Sequence, residues 1–164
     1  MIVEIILSLI MMIALSIAIW SMCALIRSKK LSGTMPKDIQ EALKEHKERF
    51  PGAHFLGWSI LIFCFALFPA CYFYAGWDGI KNGFKFWQFF IRFIIMLYLV
   101  KAFDIICLDW ILITKTHFFQ HYFPETEGCK GYNQFGFNKK EQITRIILFP
   151  FVALFLSWIC TLFI

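Results

Sequence analysis

The sequence predicts an all-α integral membrane protein: a bundle of four transmembrane helices, both termini outside, with one amphipathic cytoplasmic helix between spans one and two. Hydrophobic residues fill 60% of its 164 positions, more apolar surface than a soluble domain of this length can bury. They gather into runs of ~20 residues or more, the length a helix needs to cross a hydrocarbon core of ~30 Å. Lys and Arg are divided very unequally among the segments between those runs, as they are when one set of loops stays in the cytoplasm.

The chain, 1–164, reads as a single membrane domain with spans at about 2–26, 54–76, 86–113 and 143–164 and cytoplasmic loops at 27–53 and 114–142. Backbone groups in lipid have no water to bond, so each span must be helical. The first run carries Glu4 in place of a basic leader, which marks it as a retained span rather than a cleaved signal. Trp20, Trp58, Trp77, Trp87, Trp110 and Trp158 all fall near proposed span ends, where interfacial belts form. Trp87 and Trp110 are 23 residues apart, which is ~35 Å of helix, one membrane thickness.

Arg27, Lys29, Lys30, Lys37, Lys44, Lys47 and Arg49 follow span one, and Lys115, Lys130, Lys139, Lys140 and Arg145 follow span three. Only Lys81 and Lys85 lie between spans two and three. Twelve against two places the longer segments in the cytoplasm and both ends outside. In a bacterium the host membrane would be the plasma (inner) membrane. The net charge of +5 is thereby explained by orientation and contact with anionic headgroups, and no nucleic-acid partner is implied.

Between spans one and two, Ile39, Leu43, His46 and Phe50 recur at helical spacing with Asp38, Glu41, Lys44, Glu45, Lys47 and Glu48 on the other faces. Thr34 can cap such a helix, Pro36 suits its first turn and Pro51-Gly52 stops it, giving a helix over about 36–50. Three readings are open to it: a helix on the membrane surface, a cover over the cytoplasmic mouth of the bundle, or a solvated, stiff connector. Small residues four apart, Ala14 and Ala18, Ala66 and Ala70, and Ala153, Ser157 and Thr161, offer strips where helices approach closely. Pro69 and Pro150 fall inside spans two and four and free carbonyls there. Five of the six cysteines sit in apolar runs, with no disulfide framework.

Span three is the exceptional one, because it contains Arg92, Lys101, Asp104 and Asp109. With the two tryptophans as belts, Lys101 lies ~4 Å from the midplane and Asp104 ~8 Å toward the cytoplasm. A charge at such depth costs ~2.5–3.5 kcal/mol on insertion scales, so these side chains should face the bundle interior or a wet cavity. Lys101 and Asp104, three apart, can pair. Asp109 extends the polar strip toward the cytoplasm, about 80° round from Lys101 on an α-helix. Arg92 projects from the other side near the outer interface, where Glu4 of span one is its candidate partner.

Beyond span three, His117 and His121 would share one face if the helix ran on, and Glu125, Glu127 and Cys129 could complete a site for a divalent metal. The stretch 124–138 is dense in Gly, Asn, Pro and aromatics, including Phe135 and Phe137, and reads as a structured or re-entrant loop. No nucleotide-binding glycine loop, Ser/His/Asp set or paired-cysteine motif is present. The strip on span three therefore predicts ion, proton or small-solute transport or channel activity, with Lys101, Asp104 and Asp109 lining or gating a path in a homo-oligomer. Two alternatives share the same residues. One is a membrane-embedded enzyme acting on a lipid or apolar substrate at the cytoplasmic face through Asp104, Asp109, His117, His121 and Glu125. The other is a non-catalytic subunit or scaffold whose charges pair with a membrane partner.

Overall fold

The computed structural model describes residues 2–28, 33, 35–44, 46–134, 136 and 138–164, and all regular structure among them is helical. Four long helices form the bundle. The first, α1, runs over Ile2–Ser21 and continues as a π-turn over Met22–Ile26. A short α2 covers Lys37–Ala42, and α3 covers Ala53–Lys81. Next, α4 covers Phe86–Phe103 and continues without a break as a π-helix over Asp104–Lys115. A short α5 over Phe118–Tyr122 and two 3₁₀ turns, Pro124–Thr126 and Lys130–Asn133, lead to α6 over Lys139–Thr161.

Three helices are long and apolar enough to cross a membrane: Ile2–Ile26, Ala53–Lys81 and Lys139–Thr161. The long helix that carries Arg92, Lys101, Asp104 and Asp109 is not one of the three. On α1 the buried residues Glu4, Leu7, Ser8, Met11, Ala14, Ala18 and Ser21 recur every three or four positions and form one stripe. Ile2, Ile6 and Ile13 on the remaining faces are at least half exposed. A soluble protein would not leave such faces to water, whereas lipid is as apolar as they are.

Helix α1 packs against α3 and α4, α4 packs along α6, and α3 and α6 touch only lightly. A central core of Leu7, Met11, Cys71, Ala75, Phe89, Phe93, Met96 and Ala153 joins all four. Ala14 and Ala18 are buried where α1 lies on Leu61 and Cys64 of α3, and Ala153 and Ser157 of α6 are buried as well. Ala66 and Ala70 face outward. Pro150 lacks the N–H that would bond the Ile146 carbonyl, and Tyr98 Oη of α4 donates to that carbonyl at 3.1 Å. One proline thus supplies a tie between α4 and α6.

The bundle has two unlike ends. At the hairpin end, α3 turns into α4 through Asn82–Lys85, with Gly83 at φ +64 and Lys85 N–H capped by Gln88 Oε1 at 2.7 Å. At the loop end, a second core of Cys23, Ile39, Leu43, Phe119, Phe123 and Tyr132 knits the two connecting segments together. The helix expected over 36–50 ends there after Ala42, because Leu43 turns into extended conformation and is buried in this core. Lys44 N–H bonds Glu125 Oε1 rather than a helical carbonyl, and Phe50 stays exposed. Tertiary contacts outweigh the local periodicity. The expected cap Thr34 and the basic pair Lys29 and Lys30 lie outside the described residues.

Candidate functional site

The polar residues of α4 fall into two separate groups. At the hairpin end Arg92 Nε donates to Glu4 Oε1 at 2.8 Å, and Nη1 donates to the Ala75 carbonyl at 2.7 Å and to Asp78 Oδ2 at 2.8 Å. The Phe84 ring centroid lies 4.3 Å from the guanidinium carbon. Arg92 is 3% exposed and Glu4 5%, so both charges are sealed in protein and neutralised there. Asp78 had no place in the expected set, although its position one turn before the end of α3 puts it beside Arg92.

The second group lies toward the loop end. Lys101 Nζ donates to Asp104 Oδ2 at 2.6 Å; the lysine is buried while the aspartate side chain stays 25% exposed. From Asp104 onward the helix winds in π form, with i→i+5 bonds in place of i→i+4. Asp104, Asp109 and Thr114 are each five apart, so the wider turn stacks them on one face. The α-helical offset of about 80° between Lys101 and Asp109 does not apply across this segment. Thr114 Oγ1 donates to the Asp109 carbonyl at 3.1 Å, and Gln142 Nε2 of α6 donates to Asp109 Oδ2 at 2.8 Å.

A cavity of about 180 Å³ opens beside this face. Its polar wall is Asp104, Asp109, Asn138, Glu141, Gln142 and Arg145, and its apolar wall includes Ile19, Met22 and Cys23 from the π-turn region of α1. Arg145 approaches Glu141 no closer than 3.9 Å, and both are exposed. Three carboxylates therefore meet two cations around the cavity, with Lys101 already bonded to Asp104. The surplus suits a proton or a small cation.

The expected metal set is only partly brought together: His117, Glu127 and Cys129 line one cavity of about 230 Å³, and His121 and Glu125 are not among its walls. The helix does not run on past Lys115, since His117 adopts φ +37 and a new helix starts after it. His117 and His121 are exposed. Glu125 Oε1 instead accepts from His46 at 2.7 Å, and Cys129 Sγ reaches the Asp38 carbonyl at 3.8 Å. Among the described residues no three His, Cys, Asp or Glu side chains gather as a metal site would require.

Glu125 and Cys129 belong to a set of bonds that hold the loops in place. Arg27, at φ +48 just past the π-turn of α1, donates through Nη2 to the Tyr122 carbonyl at 2.9 Å and lies 3.2 Å from His46 Nδ1. An arginine can only donate, so Nδ1 accepts and the Nε2–H of a neutral His46 points at Glu125. Burial opposes ionisation of Glu125, yet the bonds from His46 and the Lys44 N–H prevail and hold its carboxyl below the usual glutamate value. Asp38 Oδ2 accepts from Gly131 N–H at 2.7 Å, where the glycine allows the close approach of Pro36 and Asp38. These pairings join positions more than 75 residues apart, beyond the reach of any local pattern. The chain matches no protein-family model, no curated protein and no solved structure.

Proposed function

We propose that the chain is a four-span membrane protein, with α4 as the additional span, the loop end in the cytoplasm and both termini outside, and that it transports a proton or small cation through the Asp104–Asp109 face. The observation that carries this reading is the π-helical stacking of Asp104 and Asp109 beside a cavity with surplus carboxylate. Long π-helical stretches are rare and recur at functional sites, and charged side chains at such depth are costly unless they serve or pair. The twelve-to-two division of basic residues supports the orientation.

In this reading an arriving cation or proton competes with Lys101 for Asp104 and is shared with Asp109, whose carboxylate Gln142 orients. Toward the hairpin end, Met96, Phe93 and Met11 close the bundle with no exposure above 1%. A single subunit thus lacks an open pore, and passage requires a second copy or a rearrangement of α4 against α6. The outward strip of Ala66 and Ala70 suits close approach by another subunit. The test is flux into liposomes loaded with a pH-sensitive dye, in the presence of potassium or methylammonium. Wild type is expected to exceed protein-free vesicles, with Asp109→Asn abolishing the excess. Correctly inserted wild-type protein with no flux above the blank would overturn the proposal.

A further inference from the structure

The light contact between α3 and α6 leaves an apolar groove of about 670 Å³ on the outside of the bundle. Tyr72, Phe73, Trp77, Ile159 and Phe163 are among its walls. Its floor is closed, because a Cβ on Gly76 would lie 3.0 Å from Cys160 Sγ and Phe93 of α4 also lines it. On α3 it extends from Pro69 to Ile80, ~16 Å of helix at 1.5 Å per residue. That is the depth of one leaflet of a ~30 Å hydrocarbon core. At its hairpin-end rim the Lys81 ammonium sits 4.2 Å from the centre of the Trp77 ring, a cation held where a headgroup phosphate would lie.

We infer that this groove is a binding site for an anionic phospholipid, with one acyl chain along Tyr72, Gly76 and Phe93 and the phosphate at Lys81. The length of the groove, one leaflet, selects an acyl chain over a spanning helix. The closed floor at Gly76 and Cys160 leaves a slot instead of a gap between helices. The charge at the rim selects an anionic headgroup over a zwitterionic one. This site lies at the opposite end of the bundle from the cavity of Asp104 and Asp109. It rests on the membrane-spanning reading and is independent of transport.

Bromine on acyl chains quenches tryptophan fluorescence at contact, so the full chain in vesicles of brominated phosphatidylglycerol or brominated phosphatidylcholine reports occupancy. The Trp77 contribution is the difference between wild type and Trp77→Phe. It is expected to reach half-quenching at a several-fold lower mole fraction of phosphatidylglycerol than of phosphatidylcholine. Lys81→Gln should remove that preference, while Lys85→Gln on the same turn should keep it. Equal curves for the two lipids in wild type would overturn the site while leaving membrane insertion intact. Absence of Trp77 quenching in either lipid, while other tryptophans are quenched, would mean that a second copy fills the groove and would overturn it equally. A chain in which no tryptophan is quenched would instead refute the membrane-spanning reading.

Discussion

The two charged groups on α4 are equally far from ordinary surface chemistry, yet they differ in how completely they are satisfied. Arg92 has Glu4, Asp78, a backbone carbonyl and an aromatic face around it, and its side chain is 3% exposed. Lys101 has a bond to Asp104, which itself faces a cavity shared with Asp109 and Glu141. A buried charge with every partner supplied from its own bundle is a fastener. A buried charge whose partner opens on a cavity can exchange that partner. Burial does not separate the two roles, since both side chains are buried; saturation does.

Substitution should expose this difference most strongly at the sealed end. Arg92→Leu strands Glu4 in protein and is expected to cost about 3–5 kcal/mol, the usual penalty for removing one member of a buried pair. Thermal unfolding in detergent would show it as the largest loss of the set. Lys101→Met should cost clearly less, since Asp104 can turn to the cavity, while eliminating flux. A Lys101→Met protein as unstable as Arg92→Leu would make both groups fasteners.

Close packing comes next in size. A Cβ on Gly57 would stand 2.7 Å from Ile26 Cγ1 and 3.0 Å from Leu25 Cβ, and Ser21 Oγ donates to the Gly57 carbonyl at 3.0 Å. Gly57→Ala is therefore expected to lose about 1–3 kcal/mol through overpacking of α1 on α3, with flux per folded molecule retained.

Glu125→Gln should follow, at about 1.5 kcal/mol for a lost charged hydrogen bond, measured as faster proteolysis of the loop end. Because the carboxyl of Glu125 titrates below its ordinary value when folded, its stabilising contribution is full above that ordinary value. It falls as pH drops through the folded-state value. Wild-type loop protection should weaken on acidification in that range, and Glu125→Gln should flatten the dependence. The smallest change is expected for His117→Asn with His121→Gln, within about 0.5 kcal/mol for exposed side chains. A loss of bound zinc or of flux in that double variant would restore a role for the histidines.

Much of the bundle was legible in the chain: three of the four apolar runs appear as helices long and apolar enough to cross a membrane, and the run over 86–113 appears as a long helix too. Glu4 and Arg92 could be matched because few charges sit in those runs. Register and pairing at a distance leave no such mark in the chain. Nothing in Asp104–Lys115 announces π winding, and the bond from Gln142 to Asp109 joins residues 33 apart, outside any local pattern. The helix expected over 36–50 was shortened by His46 and Lys44 bonding Glu125. Gly57 and Gly79 carry no periodic signal of their own, yet they set the approach of Ile26 and Phe89.

Access to the two ends of α4 can be measured directly by thiol labelling in a cysteine-free background, with a membrane-impermeant maleimide applied from the loop side. Asp109→Cys is expected to react much faster than Leu108→Cys, whose parent side chain is 4% exposed, and than Glu4→Cys at the sealed end. Equal protection of all three positions would show that the polar face of the π segment is dry packing, and would contradict its assignment as a working site.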